Sequence, residues 1–293
     1  MPKPIPLLPI FALLSLLTLP APVFGQALVP YTVQLNSEKL EEQGLNLAQD
    51  AVQLVRFQQS QLALPRAQLA TQLAPKRYET WFILGSLYVQ NEELDKGIQA
   101  LQQARSLDRK EAGILFTLGS AYFQKRDYTT AISNLQEGLK LKPDVPEALF
   151  DLGNSYYMLK QYAPALTAYE KAVAQEKNFW PAINNIGLLK YEQGDIAGAI
   201  EKWRIAIGLD KEAAEPQLAA AVAFYTKGEK DKGIAMGESA IRLDNRYADL
   251  QFLKENLWGE RLLADTKKFL ENPKIQAAIA QSQNSPSRIE SSP

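Results

Sequence analysis

The chain has 293 residues, a formal net charge of −1, and 46% hydrophobic against 22% charged residues. That balance suits a folded protein and gives no general attraction for nucleic acid. It has no Cys and no His. Disulfides, thiolate metal sites and every catalytic set built on Cys or His are therefore excluded. Any enzyme reading would have to rest on Lys, Tyr or carboxylate groups alone. No Gly-rich phosphate loop, HExxH run or calcium loop is present either. The expectation is a non-enzymatic protein with no cofactor, no metal and no small-molecule substrate.

Residues 1–30 open the chain with MPKPIPLLPIFALLSLLTLPAPVFGQALVP. After Lys3 no charge appears until Glu38. One reading is a cleaved secretory signal, with an apolar core at 7–19 and a small-residue end near Val23-Phe24-Gly25 or Gly25-Gln26-Ala27. The other is an uncleaved anchor, since about 20 apolar residues span a bilayer. Pro6, Pro9, Pro20 and Pro22 weaken a helix at both ends of the run. Both readings place the protein at or across a membrane. Lys3 before the segment, with Glu38, Glu41 and Glu42 after it, puts the N-terminus in the cytoplasm by the positive-inside rule.

From there the chain repeats. Gly85, Gly119, Gly153 and Gly187 lie 34 residues apart, each preceded by Leu84, Leu118, Leu152 or Ile186. Three residues after the first three glycines come Tyr88, Tyr122 and Tyr156; the fourth unit has Lys190 there, with Tyr191 next. Twelve residues after each glycine is a small residue (Gly97, Ala131, Ala165, Ala199) followed by Ile98, Ile132, Leu166 or Ile200. Then come a large one (Leu101, Leu135, Tyr169, Trp203) and another small one (Ala104, Gly138, Ala172, Ala206). Such a unit is two amphipathic helices joined by a tight turn. Small residues mark the crossing of the pair, and the large one fills the space beside it. One pair cannot cover its own apolar faces, so copies must stack.

In chain order, 44–77 is a degenerate unit that keeps Ala51, Leu54, Ala63, Ala67, Ala70 and Pro75. Firm units follow at 78–111, 112–145, 146–179 and 180–213. A second degenerate unit, 214–247, has Ala221 for the glycine, Phe224 for the tyrosine, and Gly233, Ile234 and Ala240 in their slots. Residues 248–272 are helical but out of phase, and Phe252, Leu253, Leu257, Trp258, Leu262 and Leu263 would cover the last hairpin as a cap. The end, 273–293, is read as a polar disordered tail.

A 34-residue period with Trp81, Leu84, Gly85, Tyr88 and a later Pro143 resembles the tetratricopeptide repeat (TPR) family. The resemblance implies an all-α, right-handed solenoid of antiparallel hairpins, with the first helix of each hairpin lining the concave side. Side chains three before, one after and four after each glycine would then face inward. They place the partner-binding groove at Phe82, Ser86, Phe116, Ser120, Phe123, Phe150, Asn154, Tyr157, Asn184, Tyr191 and Tyr225. This is an aromatic surface with few charges, suited to a helix or extended peptide. The alternative is that the rings pack between hairpins; it stands level for the phenylalanines, while the tyrosines should be exposed. TPR co-chaperones that clamp acidic C-termini use Lys, Asn and Arg on these slots. Here Phe takes the Lys slot and Ser the first Asn slot, so a carboxylate clamp is not expected.

The layout of apolar N-terminus, TPR array and the C-terminal stretch LKENLWGERLLADT is similar to TPR proteins of photosynthetic membranes that assist pigment–protein assembly. That resemblance implies a thylakoid or cytoplasmic-membrane scaffold whose partner is the light-dependent protochlorophyllide oxidoreductase. It also implies an array on the cytoplasmic side and an anchor rather than a cleaved signal. The alternative is a secreted or lumenal TPR adaptor in envelope or secretion assembly.

Overall fold

The computed structural model describes residues 36–283. The expected signal or anchor at 1–30 and the last ten residues of the expected tail lie outside them. Among the described residues there is no strand, and no helix is long and apolar enough to cross a membrane.

Six helical hairpins run in order: α1 (Ser37–Arg56) with α2 (Ser60–Leu73), α3 (Tyr78–Gln90) with α4 (Leu94–Leu107), and α5 (Ala112–Gln124) with α6 (Tyr128–Leu141). Then come α7 (Pro146–Met158) with α8 (Tyr162–Gln175), α9 (Trp180–Glu192) with α10 (Ile196–Leu209), and α11 (Ala214–Thr226) with α12 (Lys230–Leu243). A 3-10 turn at Asn245–Ala248 leads to three short helices, α13 (Leu250–Glu255), α14 (Glu260–Leu270) and α15 (Pro273–Gln283). Each hairpin packs on the next, which makes a solenoid with first helices on one face and second helices on the other.

The 34-residue period reappears in the backbone. Gln58, Glu92, Arg126, Lys160, Gly194 and Gly228 all have positive φ, from 58° to 96°. Each lies two residues beyond the end of the first helix of a hairpin. In the second hairpin the Glu93 amide bonds to Tyr88 O at 2.9 Å and the Glu92 amide to Val89 O at 3.1 Å, the Schellman arrangement. The same pair of bonds recurs at every turn from Gln58–Gln59 to Gly228–Glu229. The phase thus holds through both degenerate units. Only the last two turns use Gly, the residue that enters this region without steric cost.

The glycines predicted at hairpin crossings sit there. A β-carbon added at Gly85, Gly119, Gly153 or Gly187 would lie 2.5–2.7 Å from Leu101, Leu135, Tyr169 or Trp203. The four large partners are 0% exposed. Neighbouring hairpins are stitched by a second periodic contact. Gln68, Gln102 and Gln136 donate to the hydroxyls of Tyr88, Tyr122 and Tyr156 at 2.9, 3.3 and 2.7 Å. The tyrosine slot therefore serves the joint between units. In the fifth hairpin Lys190 turns instead to Asp195, at 2.8 Å.

The C-terminal region departs from expectation in two ways. Residues 273–283, read as the start of a disordered tail, form α15, which packs on α12 with Ile275 fully buried. The Phe269 ring abuts Gly237 of α12, where a β-carbon would strike it. The last hairpin lacks a large residue at that slot, and α14 supplies one. The polar composition of 273–283 hid this because only Ile275, Ala278 and Ile279 face inward. The second departure is that the region does not stop at capping the last hairpin. Its first part turns back over the first helices.

Candidate functional site

Helix α14 lies against α9 and α11, on the face that the first helices present. Its own N-cap residue, Gly259, has no side chain to bond the free amides of the first turn. Glu192, at the end of α9, does so instead, accepting from the Arg261 amide at 3.1 Å and the Leu262 amide at 2.9 Å. A carboxylate there also meets the positive end of the helix dipole. Ahead of the helix, Trp258 is 3% exposed, and its indole N–H donates to Glu215 of α11 at 3.0 Å. One turn into α14, Asp265 accepts from the Tyr191 hydroxyl at 2.9 Å. At the rim Lys160 bonds Glu260 at 2.9 Å, joining residues 100 apart in sequence. Leu257 packs with the apolar cluster that holds Tyr157. The groove of repeats four to six is thus occupied by the chain itself.

The predicted groove residues divide accordingly. Tyr191 and Tyr225 touch the C-terminal segment, the latter through an edge-on contact of its ring with Phe269 at 5.3 Å. Asn154, Tyr157, Asn184 and Tyr191 are buried, so the expected exposure of the tyrosines fails at 157 and 191. The cause is the segment overhead. Asn154 accepts from the Tyr169 hydroxyl and the Asn185 amide, each at 2.8 Å, and Asn184 donates to Asn185 at 3.1 Å. The Tyr157 hydroxyl and the Asn184 side-chain oxygen Oδ1 are buried without a protein partner. The phenylalanines follow the packing alternative. Phe82 leans on Gly113 of the next hairpin, Phe116 on Gly138, and Phe150 stacks edge-on with Phe179 at 5.4 Å. Ser86 turns back to the Phe82 carbonyl at 2.8 Å, and Ser120 stays half-buried. Phe123 is half-buried beside Tyr128, ring centres 5.3 Å apart.

The expectation of few charges fails under the segment. Burial pushes the Glu215 carboxyl up to about 7, opposed by its bonds to Trp258 and Asn184. Burial, helped by the charge of Glu147, pushes Asp151 up to about 6. Desolvation also raises the Tyr157 hydroxyl well above its ordinary range. Glu192, Glu215 and Asp265 were not among the predicted site residues. Glu192 and Glu215 close α9 and open α11, where a carboxylate reads as ordinary helix-end chemistry. No group of three or more metal-ligating side chains is found among the described residues. Beside α13 a cleft of 480 Å³ remains open, between Phe123, Arg126, Tyr128 and Met158 on one side and Lys254 and Leu257 on the other.

Fold and groove together define a helical-repeat scaffold whose inner face receives a segment of polypeptide. The chain is a tetratricopeptide repeat protein. Family models described as TPR repeat and tetratricopeptide repeat match residues 119–160, 146–179 and 184–248. A model for ChAPs (Chs5p-Arf1p-binding proteins) matches residues 31–111. Among solved structures, PilW, a widely conserved type IV pilus biogenesis factor, is 15% identical with a TM-score of 0.64, covering 80% of this chain and 98% of its own. PilF of Pseudomonas aeruginosa is 16% identical with a TM-score of 0.63, covering 74% and 98%. YrrB, a TPR protein with an unusual peptide-binding site, is 19% identical with a TM-score of 0.51, covering 69% and 97%. At these identities the likeness is one of fold. No curated protein matches the chain significantly.

Proposed function

We propose that the protein is a non-enzymatic, membrane-associated scaffold that docks a partner protein on the inner face of its repeats. The carrying observation is that this face already takes a helix, α14, through one buried indole and three side chains of α9 and α11. A surface that seats one helix by shape and paired polar groups can seat another. The open cleft beside Phe123 and Met158 extends the same face toward the earlier repeats. The ChAPs, whose printed name describes binding to two proteins, lend support for a protein partner.

The apolar segment at 1–30 is the membrane attachment in this reading. The layout resemblance to photosynthetic-membrane TPR proteins makes protochlorophyllide oxidoreductase the partner to try first, and a thylakoid or cytoplasmic membrane the expected place. Co-precipitation with the full chain tests it. Wild type should recover that enzyme, and Phe123→Ala/Met158→Ala should lose most of it. Equal recovery by both removes the groove from the account. A mature N-terminus near Gln26 would move the protein to the secreted or lumenal adaptor class.

A further inference from the structure

We propose that residues 256–266 are an internal copy of the partner's docking segment, and that the partner presents a helix begun by Trp-Gly with an acidic residue in its second turn. This deepens the scaffold reading and rests on it. The side chains of the groove specify that chemistry. Glu192 is a cap for a helix that brings none of its own, and Gly259 supplies such a start. Glu215 accepts an indole N–H, and Tyr191 donates to a carboxylate. An apolar strap kept only for stability would need none of these three matched pairs.

The closed position is also imperfect, as an exchangeable ligand's must be. Two buried polar atoms beneath it, the Tyr157 hydroxyl and the Asn184 side-chain oxygen Oδ1, have no protein partner. Leu257, which turns the chain from α13 into the Trp258 anchor, has φ of 65°, a region that disfavours a bulky side chain. The rim tie, Lys160 to Glu260, joins side chains 67% and 87% exposed, where an ion pair holds little. Behind it, Phe269 and Ile275 anchor α14 and α15 to the last hairpin, so the segment can lift over 256–266 and remain attached. A tethered occupant acts at an effective concentration on the order of mM, so a free partner gains access once the tether's grip is loosened.

The test uses a labelled peptide of residues 249–270 as probe, followed by fluorescence polarisation against the full chain. Wild type should bind it poorly. Full chain carrying Trp258→Ala with Glu260→Lys should bind it at least tenfold more tightly, with helical circular dichroism unchanged. Adding Glu192→Gln should remove the gain, and a probe with Trp258→Ala should not bind. If the double variant loses helicity, Trp258→Phe, which keeps a ring in place but removes the N–H that Glu215 accepts, is the variant to read. No gain over wild type in the folded variant overturns the proposal. So does a variant that dimerises without taking up probe, which makes a second copy the occupant. Either failure leaves the co-precipitation through Phe123 and Met158 standing, so the two readings fall separately.

Discussion

At Tyr157 the physics of one side chain contradicts the simplest sequence reading. Four residues after a repeat glycine, it was expected to meet solvent with its hydroxyl. Instead it is 7% exposed, its ring 5.8 Å from Tyr162, with the hydroxyl unpaired. An unsatisfied buried hydroxyl costs about 1–3 kcal/mol, part of which returns when the group is deleted without changing shape. Tyr157→Phe should therefore stabilise the fold by about 1 kcal/mol in denaturant melts. Tyr157→Ala should destabilise it by cavity formation, rather than spare it as an exposed residue would. A Phe variant that melts earlier than wild type would show that the hydroxyl has a partner after all. The neighbouring Asn154 and Asn185 make the contrast plain, because their amides are bonded to each other and to Tyr169.

Helix hairpins are the elements, and their crossing points govern them. The size of the residue opposite each glycine rises along the chain, from Leu101 and Leu135 to Tyr169 and Trp203. The end units have no large residue at the crossing: Ala51 and Ala67 occupy the slots in the first, Ala221 and Gly237 in the last, where Phe269 fills the space. Gly187 faces the largest of these side chains. Its missing β-carbon would be 2.5 Å from Trp203 Nε1, and that indole already donates to the Asn184 carbonyl at 3.2 Å. Gly187→Ala should cost about 1–3 kcal/mol by overpacking, although Ala is the better helix former. An exposed control such as Gly208→Ala, with nothing within 4 Å, should gain stability from the same propensity difference. Thermal melts giving both variants the same sign would refute the crossing-point argument. This level of the fold was legible because each contact joins residues 16 apart within one repeat, and the repeat prints it several times.

A solenoid is ordinarily a one-dimensional stack in which each unit feels only its neighbours. This molecule adds a long-range tie, the C-terminal segment that links α9, α11 and the rim of the fourth repeat. Glu215 lies at the joint, and its protonation should be felt by the whole fold. Its carboxyl goes from an ordinary 4.5 to about 7 on folding, and that of Asp151 from 3.8 to about 6. Between those limits the folded chain binds more protons than the unfolded chain. Stability should therefore be highest on the acid side of that window and fall as pH rises to about 7, flattening above. Melts between about pH 5 and about pH 8 read this directly, and Glu215→Gln should flatten the larger part of the slope. An unchanged slope in that variant would mean Glu215 is solvated in the folded state.

The hairpins, their phase, the glycine crossings and the existence of an inner face were all legible in the residue pattern. Each of these rests on contacts within a unit or between adjacent units, and repetition separates signal from accident. The sequence also placed Trp258, Leu257 and Leu262 among the apolar positions of an out-of-phase helical region. Where those side chains go was decided only by tertiary structure. An amphipathic stripe will fit any apolar face, and the choice rests on single polar partners far away in the chain: Glu192 for the start of α14, Glu215 for the indole, Tyr191 for Asp265. Tyr191 and Glu215 stand in slots where the same residue recurs, at Tyr157 and Tyr225 and at Glu79 and Glu147, and Glu192 has no counterpart at all, so the period could not mark the three as contacts. Nothing short of the folded chain could show that the groove read from residues 82 to 225 is, over half its length, already filled.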